Sequence, residues 1–283
     1  MTEQRVAVLI DADNVSGANA AAVIAEAGRH GRLVIRRIYG DWTRNAGQKW
    51  KAVLADLAIQ PIQQFANTVG KNATDSTLII DAMDLLHQDL ADVFCIVSSD
   101  ADFTRLASRL RESAKVVVGI GRRKTPKAFV HACERFVFIE NLVQDDELAP
   151  APSASASSRG RGRGGRGGST QRGGGARSAA VDADAQDGEL NDADATEVDD
   201  ASAPVEVPAL GPLLAQAYDN AENDDGYAFL GSIGNQLQKL DPSFDPRNYA
   251  HRQLRLLVAA QPGYRVESAP GKNSLIVTRS ADS

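Results

Sequence analysis

With 283 residues, 43% of them hydrophobic, the chain is long enough for two domains of ordinary size, each able to bury a core. A net charge of -6 excludes a basic signature over the whole chain, so nucleic-acid binding would have to come from local patches. Two cysteines, Cys95 and Cys133, sit in apolar runs with no CxxC pair, which excludes a zinc framework or disulfide scaffold and fits a reducing interior.

The first residues read straight into a strand rather than a signal peptide, and no apolar run approaches the roughly 18 residues of a membrane helix, so a cytoplasmic location is expected. Strand-like runs at 5–10, 33–39, 61–65, 93–98, 115–120 and 136–139 alternate with helix-like stretches at 18–29, 48–58, 75–87, 102–113 and 126–133. The strands show little period-2 alternation, as expected when both faces are covered. This order predicts an α/β domain over 1–147, a Rossmann-like three-layer parallel sheet.

Residues 148–208 break the pattern. A small-residue stretch leads into Arg159-Gly-Arg-Gly-Arg-Gly-Gly-Arg-Gly-Gly168, with six arginines between Arg159 and Arg177, and then into an acidic run from Asp182 to Asp200. Such segments bury too little to offset backbone entropy and are expected to be disordered. Order resumes in the third region, 209–283. Helical patterns at 210–221, 227–240 and 248–260 precede strand-like pieces at 264–267 and 275–278, a winged-helix order.

Chemistry is suggested by acids at strand ends. Asp11, Asp13 and Asn14 follow the first strand, Asp100 and Asp102 follow 93–99, and Asp75 opens the helix before that strand. Strand ends and helix starts share one edge of a parallel sheet, so the three clusters converge on a divalent-cation site. Taken singly, Asp75, Asp100 or Asp102 also suits a helix cap, and Asp81 and Asp84 suit a solvated helix face. Asp81 lies six residues after Asp75, roughly 240° round the helix, which makes a shared metal awkward.

These residues carry a resemblance. Leu9-Ile-Asp11-Ala-Asp13-Asn14, Lys71-Asn-Ala-Thr-Asp75 with Ile79-Ile-Asp81-Ala-Met83, and Val97-Ser-Ser-Asp100-Ala-Asp102-Phe103 resemble the NYN domain, the LabA-like branch of the PIN-like ribonuclease superfamily. The resemblance implies Mg²⁺- or Mn²⁺-dependent endoribonuclease chemistry. It makes Asp11, Asp75, Asp100 and Asp102 the metal-binding acids, with Asn14 supporting the first and Asp13 and Asp81 secondary. A catalytically silent RNA-binding adaptor with the same parts is the alternative. Asp11-Ala-Asp13 also resembles the nucleophile motif of haloacid-dehalogenase phosphatases, but the lysine and the phosphate-binding Ser/Thr of that chemistry find no place here.

RNA contacts are expected from Arg122, Arg123 and Lys124 after the 115–120 strand, and from Arg44 and Lys71. Lys49 and Lys51 lie near Trp42, which is available for base stacking. Arg36 and Arg37 sit within a strand, so at least one must face outward or pair with an acid. Arg159, Arg161, Arg163 and Arg166 resemble an RGG tract. In the third region, Asp225-Gly226-Tyr-Ala-Phe-Leu-Gly-Ser-Ile-Gly234 and Pro242-Ser-Phe-Asp-Pro-Arg-Asn-Tyr249 resemble the LOTUS or OST-HTH domain. That resemblance implies RNA binding or a grip on a protein partner, with Arg252, Arg255 and Lys272 as basic contacts. Open sheet edges or this module offer surfaces for a homodimer.

Overall fold

The structure, a computed structural model, describes residues 3–43, 46–64, 73–142, 206–269 and 274–279. Arg44, Lys71, Arg159, Arg161, Arg163, Arg166 and Lys272, all expected to meet RNA, lie outside the described residues, as does the side chain of Lys49.

Six strands form one sheet: β1 (Arg5–Asp11), β2 (Arg32–Gly40), β3 (Gln60–Gln63), β4 (Val93–Val97), β5 (Val116–Gly121) and β6 (Arg135–Phe138). Every pairing is parallel, in the order β3-β2-β1-β4-β5-β6. Helices α1 (Ala20–Gly28) and α2 (Ala46–Leu54) cover one face; α3 (Ala73–His87), α4 (Thr104–Glu112) and α5 (Lys127–Ala132) cover the other. Strand β4 shows why its sequence lacks alternation. Phe94 and Ile96 enter the core with Leu78, Phe103 and Phe129, while Val93, Cys95 and Val97 enter the opposite core with Val23, Ile38 and Trp50. Both faces are dry, so every position is apolar.

The chain builds β1, β2 and β3 outward in one direction, then returns to place β4 on the other side of β1. The connections therefore diverge at the carboxyl ends of β1 and β4, opening a crevice between them. Ile10 is level with Val97, so Asp11 and Ser98 face each other across its mouth.

The C-terminal module contains α6 (Leu210–Asp219), β7 (Tyr227–Phe229), α7 (Leu230–Leu240), α8 (Leu254–Ala259), β8 (Tyr264–Ser268) and β9 (Leu275–Arg279). Two expectations need correction. Residues 227–229 are not the start of a helix but a strand, antiparallel to β9 in a sheet ordered β7-β9-β8. Ala228 points inward between Tyr227 and Phe229, an alternation of period 2 too short to stand out beside the helix that follows. The expected helix over 248–260 is split. Asp245 caps a 3-10 turn at Pro246–Tyr249, Ala250 takes the left-handed conformation (φ 60°), and α8 begins at Leu254. No helix among the described residues is long and apolar enough to cross a membrane.

Both modules belong to one compact unit. The main-chain N–H of Phe136, on the outer edge of β6, donates to the Pro242 carbonyl at 2.8 Å. Asn248 Oδ1 accepts from Asn141 Nδ2 (2.7 Å) and Arg123 Nη2 (3.2 Å). Arg247, gripped by Asp245 at 2.7 Å, lies 3.6 Å from the buried carboxylate of Glu26 on α1. One of the sheet edges expected to be open is thus capped by the chain itself, which also blunts it as a template for stray pairing. Arg247→Ala leaves the Glu26 charge short of a buried partner and is expected to cost about 2–3 kcal/mol in urea unfolding. Arg29→Ala, which removes a largely exposed partner of the same carboxylate, is expected to cost less than about 1 kcal/mol.

Candidate functional site

Asp11 closes β1 where the apolar run gives way to Ala12-Asp13-Asn14, and it is 1% exposed. Its Oδ1 accepts the Asp13 main-chain N–H at 3.0 Å; its Oδ2 accepts Asn14 Nδ2 at 2.6 Å and Ser98 Oγ at 2.9 Å. Burial raises its pKa, and the bonds from Asn14, Ser98 and the Asp13 main chain oppose that rise. A carboxylate has roughly four acceptor positions, so about one remains, on Oδ1. Asp11 thus keeps room for one further donor and is poorly placed to act as a nucleophile, and it is not among the acids whose carboxylate oxygens all lie within 4.8 Å of one another.

Ser98 extends the network. Its Oγ also accepts the Asp100 main-chain N–H at 3.1 Å, and Asp100 Oδ1 accepts that of Asp102 at 2.9 Å. The last bond is the cap of a 3-10 turn, Ala101–Phe103, which leads into α4. Capping and ligation, alternatives on sequence grounds, are compatible here because the cap draws on one oxygen of Asp100. Ser98 was missed by sequence reasoning. The available signal was a hydroxyl residue just past a buried strand and two positions before an acid.

Asp75 completes the crevice from the first turn of α3 and is nearly buried, at 8% exposed. Carboxylate oxygens of Asp75, Asp100 and Asp102 lie within 4.8 Å of one another. Burial, then the charges of Asp11, Asp100, Asp102 and Asp13 in that order, push the Asp75 carboxyl up to about 7. Carboxylates so close repel one another, and a cation among them relieves that repulsion. The donors are all hard oxygens, a set that suits Mg²⁺ or Mn²⁺ and not a thiophilic metal.

Gly121, at the end of β5, is needed for this packing. A Cβ there would come within 2.5 Å of the Ser98 carbonyl oxygen, so any side chain would push β5 away from the loop carrying Ser98 and Asp100.

The other predicted residues are dispersed. Asp81 is not in the cluster: it pairs with Arg37 and accepts the Tyr39 hydroxyl, on the part of α3 that faces β2. The helical rotation between positions 75 and 81 accounts for the separation. Arg36 donates to the Leu57 carbonyl at 2.8 Å. Arg122 and Lys124 are exposed beside the crevice edge of β5, and Lys51 is exposed on α2. Arg123, expected to meet RNA, instead donates to Asn141 and Asn248 and stacks 5.1 Å from the centre of the Phe138 ring. It is a joint between the modules, formed because the C-terminal module covers β6. Trp42 is partly buried against the core, and its indole N–H donates to the Ile62 carbonyl at 2.9 Å. Arg252 and Arg255 are exposed, the latter beside a cavity of about 300 Å³. Cys95 and Cys133 are buried, and burial pushes both thiols up, Cys133 to about 12.

The family model of the NYN domain matches residues 5–140, and that of the OST-HTH/LOTUS domain matches residues 208–276. No curated protein matches the chain. Among solved structures, a protein of unknown function from Vibrio parahaemolyticus RIMD 2210633 is similar at 18% identity and a TM-score of 0.41, over 48% of this chain and 93% of that one. An uncharacterized protein of Nitrosomonas europaea is similar at 28% identity and a TM-score of 0.24, over 33% of this chain and 95% of that one.

Proposed function

We propose that this chain, which carries an NYN domain followed by an OST-HTH/LOTUS domain, is a Mg²⁺- or Mn²⁺-dependent endoribonuclease whose second domain and arginine–glycine segment hold RNA. The observation that carries the reading is the convergence of Asp75, Asp100 and Asp102 in the crevice of a domain of the PIN-like nuclease superfamily.

Asp75, Asp100 and Asp102 would hold the ion, with Asp11 adding one oxygen. A bound divalent ion supplies a hydroxide-like water near neutral pH and offsets charge on the leaving oxygen. Asp75 must give up its proton to serve as a ligand, so ion binding releases protons and strengthens as pH rises through about 7. Asn14 and Ser98 hold Asp11 in one orientation, and the cap at Asp100 sets the spacing to Asp102. Arg122 and Lys124, on the same edge, would meet phosphates of the substrate.

The test is incubation of end-labelled RNA with the full chain. Cleavage is expected with Mn²⁺ or Mg²⁺, and none with a chelator in excess. RNA that is bound yet stays intact with either ion would sink the nuclease reading in favour of the adaptor. Equal cleavage by wild type and Asp11→Asn would assign the activity to a contaminant.

A further inference from the structure

Away from the acidic crevice, the docking of the second domain creates a cleft of about 990 Å³. One wall comes from the start of β5 and β6 with the end of α4; the other comes from α7 and Pro242. Its lining is strongly one-sided in charge: among the described residues, Arg111, Lys115, Arg135 and Lys239 stand against the single carboxylate of Glu134. Lys115 has a counter-charge in Asp89, which lies outside the cleft and is 71% exposed. Arg111 donates to the main-chain carbonyls of His131 and Ala132, which leave its charge unneutralised. Arg135 Nε and His30 Nε2 are buried in the cleft wall without a hydrogen-bond partner. Burial first, and then the positive charges of Arg135 and Arg29, push the His30 pKa down to about 4. A cleft lined by one sign of charge with low-dielectric walls concentrates counter-ions.

We propose that this cleft between the two domains binds the phosphate backbone of single-stranded RNA at a station separate from the acidic crevice. The assignment rests on the ribonuclease reading for its choice of polyanion. The two stations lie at opposite ends of β5, whose six residues separate them by roughly 20 Å. RNA long enough to touch both is held while one of its phosphodiesters lies among the acids. Neither domain forms the cleft alone, because Lys239 comes from the second and Arg111, Lys115 and Arg135 come from the first.

The experiment measures binding of a fluorescent single-stranded RNA, roughly 20 nucleotides long and so beyond the usual single-strand site size, to the full chain. A chelator is present throughout, so cleavage plays no part. Lys239 is exposed on the last turn of α7, and its replacement spares both cores. Lys239→Glu is expected to weaken binding about tenfold, Lys239→Arg to preserve it, and Lys239→Ala to flatten the salt dependence by about 0.7 in log–log slope. Unchanged affinity and slope in all three variants would overturn the proposal. So would a peptide copied from residues 182–200 that binds the wild type but not Lys239→Glu while RNA affinity is the same for both; that pattern would assign the cleft to an acidic protein segment. A wild type that binds RNA through Lys239 yet never cleaves it counts against the nuclease reading and leaves the cleft standing.

Discussion

Replacing Asp100 by Asn is expected to slow metal-dependent RNA cleavage at least about a hundredfold, equivalent to about 2.7 kcal/mol of transition-state stabilisation. The substitution is nearly isosteric. Asn caps a helix as well as Asp does, and its carbonyl oxygen can keep the bond from the Asp102 main-chain N–H, so the 3-10 turn at Ala101–Phe103 should survive. What it removes is one negative charge and one ligand oxygen from the group formed with Asp75 and Asp102. Single-turnover rates at saturating Mn²⁺ provide the measurement, with the thermal midpoint as the control for folding. A rate within about threefold of wild type in a normally folded variant would remove Asp100 from the site.

The second large effect has the opposite sign for stability. Asp75 sits at about 7 in the folded chain against an ordinary 3.8. Between those values the folded protein keeps a proton that the unfolded chain releases, so metal-free stability falls as pH rises from about 4 to about 7. Asp75→Asn does not titrate and escapes that loss. At pH 8, without divalent ions, the variant is expected to be about 2–4 kcal/mol more stable than wild type in urea unfolding. At pH 4 and below the gain should vanish. Mn²⁺ should narrow the gap at pH 8, because it stabilises the wild-type cluster more than the variant. The same variant should lose cleavage, a case of stability surrendered to hold a functional charge cluster. An equal gain at both pH values would mean that Asp75 is not proton-linked in this way.

These two variants separate the roles within the cluster. Asp100 is half-buried and part of a cap, so its change should be read mainly in rate. Asp75 is nearly buried and lies within the field of four other acids, so its change should be read in stability as well. Ser98 joins the two ends of the network by donating to Asp11 and accepting from Asp100.

Much of this was legible in the residue order alone, for a local reason. The stretch Val6–Ile10 of β1 and all of β4 are apolar because both faces are covered, and acids stand at Asp11 and, two serines past β4, at Asp100, so a parallel sheet with acids on one edge follows from pattern and chirality. Position 81 was separable from position 75 by helical rotation alone. What the residue order could not reach depends on contacts between distant segments. The turn at Ala250 and the strand at Tyr227–Phe229 are set by packing within the C-terminal module, which overrides the helical spacing. Arg123 reads as an RNA contact in sequence and becomes a joint only because Asn248, far along the chain, reaches it. The basic cleft gathers Arg111, Lys115, Arg135 and Lys239 from separate elements, and no spacing in the chain announces it. Local periodicity determined the elements and the edge on which the acids lie; tertiary docking decided which charges are spent inside the protein and which remain to meet a ligand.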